Sequence, residues 1–109
     1  MNEIKELTAK IRQFTEERDW DQFHNPKDLA VALSIEASEL LEAFLWKNPE
    51  EAKIEKIREE LADVINYALL IADKYQLDVE QIVLEKLARN GEKYPVEKAR
   101  GTAKKYNEL

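Results

Sequence analysis

The sequence contains no cysteine, and it has only 2 glycines and 3 prolines in 109 residues. The absence of cysteine excludes a disulfide framework, thiolate chemistry and a zinc–cysteine site. The scarcity of glycine and proline leaves few turn signals and predicts long regular elements. No segment approaches the roughly 18 apolar residues of a membrane span, and the first residues, MNEIKELTAK, lack the apolar core of a signal peptide. We therefore expect a cytoplasmic protein without a membrane partner.

Positive charge is also scarce, because 17 basic residues stand against 23 acidic ones and the net charge is −6. A nucleic-acid polymer needs a basic protein face, so the composition argues against that class of partner. Small polyanions stay compatible with the chain where cations bridge them to acidic residues. The content of 44% hydrophobic and 37% charged residues is typical of a globular chain. We expect a single domain over residues 1–109.

Apolar residues recur at spacings of three and four along most of the chain, which is typical of amphipathic helices. Asn25–Pro26 and Asn48–Pro49 are helix-start signals, because asparagine can cap a helix and proline fits its first turn. Asp78 gives a further start signal. The pattern predicts four helices, which end near Arg18–Asp19, Trp46, Tyr75 and Gly91. Residues 92–109 lack this periodicity and predict an extended arm with at most a short helix.

Four helices with short connections predict an all-α fold: an antiparallel four-helix bundle protomer with an extended C-terminal arm. The second helix is apolar on more than one side, and one bundle face cannot cover all of its apolar side chains. These side chains are Leu29, Val31, Leu33, Ile35, Leu40, Leu41, Phe44 and Leu45. We therefore expect a homo-oligomer, either a dimer or a tetramer made of two dimers.

Two pairs of acids stand among the apolar residues of the second and third helices. Glu36 and Glu39 are three residues apart and share one helix face, as do Glu60 and Asp63. Folding the connection at Trp46 leaves the two pairs about 6 Å apart along the helix axis. Four converging carboxylates would repel one another unless cations neutralise them, and magnesium combines carboxylates, waters and substrate phosphates. The pattern predicts a magnesium site.

Two other interpretations of these acids are open. Each glutamate can be a solvated charge of an amphipathic helix, and we expect that of Glu42, Glu51, Glu55 and Glu59. A di-iron bundle needs histidines on its helices. The chain has 1 histidine, in the connector before the second helix, so the di-iron interpretation is weak.

The chain resembles the MazG-like all-α nucleoside triphosphate pyrophosphohydrolases, and among them the dCTP pyrophosphatase branch. The resemblance rests on the E-x-x-E and E-x-x-D pairs together with ERDWDQFHNPKDLAVALSIEASELLEAFLWK, EELADVINYALLIA and NGEKYPVEKARGTAKKY. One position departs from many motifs of the family, in which two glutamates are adjacent: here Ile35 precedes Glu36. The resemblance implies hydrolysis between the α- and β-phosphates of a nucleoside triphosphate, giving the monophosphate and pyrophosphate.

The resemblance also implies the cofactor and the site residues. Glu36, Glu39, Glu60 and Asp63 match ligands of Mg²⁺, for which Mn²⁺ is a substitute. Glu39 is the candidate that orients the attacking water, and we count Glu36 with it as catalytic. Trp46 matches an aromatic that stacks on the pyrimidine, and His24 and Asn90 match base-contacting positions. The other expected substrate contacts are Trp20 and Phe23 around the base, Tyr67 at the sugar, and Lys86, Lys93 and Tyr94 at the phosphates.

The leading hypothesis is magnesium-dependent hydrolysis of dCTP or modified dCTP, which would cleanse the nucleotide pool. A second hypothesis keeps this chemistry with dUTP, or with a broad or oxidised range of deoxynucleotides, as substrate. A third, of another class, is a noncatalytic helical oligomerisation module. The resemblance implies dimers or tetramers with active sites at subunit interfaces, and we favour the tetramer.

Overall fold

The computed structural model describes residues 2–109, and these residues form helices and turns without any strand. The all-α class predicted from the sequence is confirmed. The five α-helices are α1 (Glu3–Glu17), α2 (Pro26–Glu42), α3 (Ile54–Lys74), α4 (Val79–Lys93) and α5 (Val96–Ala99). Short 3₁₀ turns lie at Asp21–Phe23, Pro49–Glu51 and Tyr106–Glu108. None of the helices described is long and apolar enough to cross a membrane.

Two of the predicted helix starts are capped as expected. The side chain of Asn25 accepts a hydrogen bond from the backbone N–H of Asp28 at 2.9 Å, with proline at the first helical position. Asp78 accepts one from the backbone N–H of Gln81 at 3.0 Å. Each bond satisfies a donor that the first helical turn leaves without an intrahelical partner. The end of α1 beside Arg18 also agrees with the sequence.

The connection between α2 and α3 differs from the prediction. The second helix ends at Glu42 and does not run to Trp46, because the N–H of Leu45 already bonds the carbonyl of Glu42, three residues back. This tighter spacing belongs to a 3₁₀ turn. Trp46 then has φ +58°, which no right-handed helix accommodates.

The start of the third helix is also later than predicted. Asn48 and Glu51 do form a capping box, in which the N–H of Asn48 donates to the Glu51 carboxylate at 3.1 Å. The box caps the turn Pro49–Glu51, and Ala52 after it is extended (φ −70°, ψ 139°). α3 therefore begins at Ile54. The sequence signal was real, but it marks a single turn.

The predicted end of the fourth helix at Gly91 is also wrong. The backbone of Gly91 is outside the left-handed region that a glycine helix stop uses. α4 continues to Lys93, where the N–H of Tyr94 bonds the carbonyl of Asn90 at 2.8 Å. The arm after α4 contains the short helix α5, as the sequence allowed.

The chain divides into two compact units, of which the first ends at Leu77 and the second is Asp78–Leu109. In the first unit α3 packs against α2 and α1. The most buried apolar side chains are those of Leu29, Ala43, Leu69, Leu70 and Ala72. This core fixes the faces of α2 and α3 that carry the acids.

Two ion pairs join elements of the first unit. The guanidinium of Arg12 on α1 donates two hydrogen bonds to Asp73 on α3, one of them at 2.8 Å. Lys74, next along α3, pairs with Asp21 in the connector after α1. The connector is thereby attached to the C-terminal end of α3.

Candidate active site

Three carboxylates from two helices converge in the first unit. Glu36 on α2 meets Glu60 and Asp63 on α3, and one oxygen from each lies within 4.8 Å of the others. The arrangement follows from the packing of α2 on α3 and from the three-residue spacing of Glu60 and Asp63, which puts both on one helix face. We call Glu36, Glu60 and Asp63 the acidic triad. Three of the four acids that the sequence predicts to converge therefore do so, and Glu39 is the one outside this group.

Glu60 is the most buried member of the triad, with 6% of its surface exposed. Its Oε1 accepts a hydrogen bond from the Lys56 ammonium at 2.8 Å, one helical turn earlier. This bond lowers the pKa of Glu60 against the opposing effect of burial, so the carboxylate stays charged. Its other oxygen, Oε2, is buried and has no hydrogen-bond partner among residues 2–109.

The charged form of Glu36 is destabilised by burial and by the acids around it. Burial, followed by the hydrogen bond and charge of Glu39 and the charges of Asp63 and Glu60, raises the pKa of Glu36 to about 7. Its Oε2 is a second buried oxygen without a partner among the described residues. Two buried carboxylate oxygens that lack donors are costly, since a buried polar group needs a partner.

The unpartnered oxygens of Glu36 and Glu60 and the raised pKa of Glu36 indicate whether a divalent cation fits the acidic triad. Hard cations such as magnesium take oxygen ligands, and their charge would remove the repulsion that raises the pKa of Glu36. Lys56 supplies the one ammonium that bonds the triad among residues 2–109. Glu39 is half-buried beside Glu36, but outside the group of three convergent oxygens. The donor set therefore fits a magnesium-like ion, with the triad as its core and Glu39 next to it.

A cavity of about 230 Å³ opens beside Asp63 in the same unit. Drug-sized ligands usually occupy about 300–1,000 Å³, so this space suits part of a nucleotide. Its lining is mostly apolar and aromatic, and consists of Ile11, Phe14, Thr15, Trp20, His24, Asp63, Asn66, Tyr67 and Leu70. Three predicted substrate residues, Trp20, His24 and Tyr67, are among them.

Local contacts explain how the connector reaches this cavity. The N–H of Trp20 bonds the carbonyl of Thr15 at 3.0 Å, and its ring packs edge-on against Phe14 at 5.8 Å between centroids. His24 follows one turn later, with Nδ1 buried and without a partner among residues 2–109. Burial and the charge of Glu36 raise the pKa of Tyr67, so its hydroxyl stays a neutral donor. The cavity therefore has aromatic walls and a few polar atoms that can form hydrogen bonds with a ligand.

Phe23 and Trp46 were predicted around the base, but neither lines this cavity. Phe23 is 63% exposed and Trp46 is 93% exposed. The positive φ of Trp46 holds an aromatic side chain in a backbone region that favours glycine. Trp46 thus faces solvent in the single chain, and its stacking role stays a prediction.

The other predicted substrate residues lie in the second unit. Lys86, Asn90 and Lys93 are on α4, and Tyr94 caps its end. Lys86 borders an apolar groove with Ile82, Val83 and Leu87. The ring of Tyr94 packs edge-on against Tyr106, above which the Lys93 ammonium lies at 4.9 Å. Their contacts with substrate remain predictions.

Sequence reasoning missed several residues of the site. Lys56 could have been found, because a lysine four residues before a glutamate is a standard helical ion pair. Asn66 could also have been found, because it lies three residues after Asp63 on the same face. Thr15 and Ile11 carry no such signal, since α1 packs on α3 through contacts distant in sequence.

Comparisons with known proteins show which family this chain is similar to. The chain is 38% identical over 117 residues to dCTP pyrophosphatase 1 of Mus musculus, covering 100% of this chain and 67% of the relative. It is also 38% identical to the protein of that name from Bos taurus, with 100% and 68% covered. A crystal structure of a pyrophosphatase from Archaeoglobus fulgidus DSM 4304 superposes with a TM-score of 0.80 and 35% identity, covering 87% of this chain and 94% of that one. The model of the MazG-like family matches residues 31–109. The resemblance drawn from the sequence is thus confirmed, and the chain belongs to the MazG-like family.

Proposed function

We propose that this chain is a metal-dependent pyrophosphohydrolase of dCTP or modified dCTP. Its enzyme class, nucleoside triphosphate pyrophosphohydrolase, follows from its membership of the MazG-like family and from relatives that are dCTP pyrophosphatases. The observation that carries the proposal is the acidic triad, with two unpartnered buried oxygens, beside a cavity with aromatic walls. The role would be to cleanse the nucleotide pool.

The triad would hold Mg²⁺, with Mn²⁺ as a substitute, and Glu39 would complete the set of four acids. When bound, the ion would neutralise the acids, bridge them to the triphosphate and offset the charge of the leaving pyrophosphate. Lys56 keeps Glu60 ionised and oriented as a ligand through its 2.8 Å hydrogen bond.

Hydrolysis adds water at the α-phosphorus and breaks its bond to the oxygen that bridges to the β-phosphorus. Glu39 would orient that water and accept its proton, and its position beside the triad but outside the three convergent oxygens supports this role. Glu36 would act with it as a ligand. The products are the monophosphate and pyrophosphate.

The cavity would take the base and sugar of the nucleotide. Trp20 gives it an aromatic wall, the unpartnered Nδ1 of His24 gives a hydrogen-bonding atom, and Tyr67 closes the sugar side. Trp46 and Phe23 would add exposed aromatic surface. On the resemblance alone we add Asn90 at the base and Lys86, Lys93 and Tyr94 at the phosphates.

The finer architecture is part of the proposal. The relatives align with 100% of this chain and the family model matches residues 31–109, which supports one domain over residues 1–109. An antiparallel four-helix bundle protomer stays part of the proposal. Apolar side chains of α2 are exposed on a single chain, among them Val31, Ile35 and Leu41. Burial of these side chains in a homo-oligomer, with a tetramer favoured over a dimer, would remove this apolar surface from water.

A substrate panel tests the function and its alternative. The purified oligomer, with magnesium, is given each common and oxidised nucleoside triphosphate at equal concentration, and the products are identified. We expect pyrophosphate and dCMP from dCTP, faster than from any other substrate, and no product after EDTA. A preference for dUTP or equal rates across the panel would replace the dCTP proposal with the alternative substrate range.

A further inference from the structure

One polar group of the cavity has no role in the site as described above. Among the side chains that line it, the Thr15 hydroxyl donates to the Arg12 carbonyl at 2.8 Å, and Asp63 belongs to the acidic triad. The side chain of Asn66 makes no hydrogen bond or ion pair with any residue of the range 2–109. Its amide, with one donor group and one acceptor, is free to bind a ligand.

The position of Asn66 on α3 limits what it can contact. It lies three residues after Asp63, about 4.5 Å further along the helix axis and on the same face. Tyr67 is next to it, and Leu70, one turn further, is buried. The side chain of Asn66 is itself exposed, so it stands at the mouth of the cavity, between Asp63 and the buried end.

This order along α3 matches the order of groups in a nucleotide. If Asp63 is at the triphosphate and the apolar walls of Leu70 and Phe14 take the flat base, the group between them is the sugar. A deoxyribose presents its 3′-hydroxyl, which both donates and accepts hydrogen bonds. The Asn66 amide has the complementary pair of functions at that depth.

We propose that Asn66 is a specificity-determining residue that binds the 3′-hydroxyl of the substrate's sugar. The inference rests on the proposed function, since it assumes a nucleotide with its phosphates at the triad. It predicts that the enzyme discriminates against triphosphates that lack this hydroxyl, because Asn66 then loses its partner.

The test is a cycle of two protein forms and two ligands. Wild type and Asn66→Leu, a substitution of similar size without hydrogen-bonding groups, are each given dCTP and 2′,3′-dideoxy-CTP. Binding is measured with the α,β-imido forms of both ligands, which resist cleavage, and kcat/KM with the cleavable ones. Wild type should prefer dCTP about five- to tenfold, as expected for one neutral hydrogen bond. Asn66→Leu should lose that preference and treat the two ligands alike.

Controls separate this inference from the proposed function. Equal thermal unfolding of Asn66→Leu and wild type shows that the fold is kept, and Asn66→Gln, which retains the amide, should keep part of the preference. If Asn66→Leu weakens both ligands equally and so keeps the wild-type preference for dCTP, the sugar assignment is wrong while the proposed function stands. A wild type that cleaves no triphosphate contradicts both.

Discussion

Lys56 Nζ lies 2.8 Å from Glu60 Oε1, while Glu60 Oε2 is buried without a partner among residues 2–109. One oxygen of the Glu60 carboxylate is thus held by the Lys56 ammonium, and the other is available to a ligand. The relationship explains how a buried acid stays ionised in a cluster that drives Glu36 toward protonation, since Lys56 lowers the pKa of Glu60.

Removing the Lys56 ammonium should make the stability of the acidic triad depend more strongly on a bound cation. Lys56→Met leaves Glu60 without its donor, so the metal-free protein should melt a few degrees below wild type. Magnesium should raise its melting temperature more than that of wild type, because the ion then supplies the missing charge. Lys53→Met, an exposed lysine at the start of α3, is the matched control and should change neither value. A melting temperature for Lys56→Met equal to that of wild type, with and without magnesium, would contradict this role.

The pH dependence of stability provides a second test, in metal-free protein. The pKa of Glu36 is raised to about 7 from the ordinary value of 4.5, so the folded state holds this proton more tightly than the unfolded state. The contribution of Glu36 to the free energy of unfolding is complete below about pH 4.5 and is lost as the pH rises through about 7. Denaturant unfolding across this range should show that loss in wild type and not in Glu36→Gln. Glu42→Gln, on the exposed side of α2, should behave as wild type. A Glu36→Gln profile parallel to that of wild type would contradict the assignment.

The pair between Arg12 and Asp73 should give the opposite pH dependence. Arg12 lowers the pKa of Asp73 from the ordinary 3.8 through its hydrogen bonds, so the pair stabilises the fold above that value and is lost as the pH falls. Both side chains are partly exposed, so Asp73→Asn should cost only about 0.5–1 kcal/mol at pH 7. The cost should shrink as the pH falls below 3.8, as measured by denaturant unfolding at pH 7 and at an acidic pH. An equal cost at both pH values would mean that charge is not the reason.

Trp46 allows structural and functional roles to be separated. Its φ of +58° favours glycine, so Trp46→Gly should leave the melting temperature unchanged or raise it. If Trp46 stacks on the base, kcat/KM for dCTP should fall about tenfold, since stacking on an aromatic contributes about 1–3 kcal/mol. Trp46→Phe keeps an aromatic ring and should retain most of the activity. A change in oligomer mass for Trp46→Gly with normal activity per protomer would instead make it an interface residue.

The sequence predicted the parts of this structure that depend on local pattern. The all-α class and the caps at Asn25 and Asp78 follow from residues within one turn of each other. The convergence of the acids follows from spacing on two helices that neighbour each other in the chain. These features need no knowledge of distant contacts.

Boundaries and cavity walls were harder to predict, for physical reasons. A capping box specifies a first turn but not its continuation, so Asn48 marked a turn and α3 began later. A glycine can stop a helix only if its backbone turns left-handed, which Gly91 does not. The wall that Ile11 and Thr15 add to the cavity depends on how α1 packs on α3, and no short pattern carries that information.

The central claim is that the acidic triad serves the cleavage of a nucleoside triphosphate between its α- and β-phosphates. The most direct measurement is product identification after incubation of dCTP with the magnesium-loaded wild type and with Asp63→Asn, whose folding is verified by thermal unfolding. We expect dCMP and pyrophosphate from wild type, and a rate reduced at least about 100-fold in Asp63→Asn. Release of dCDP and phosphate, or equal rates in the two proteins, would contradict the claim.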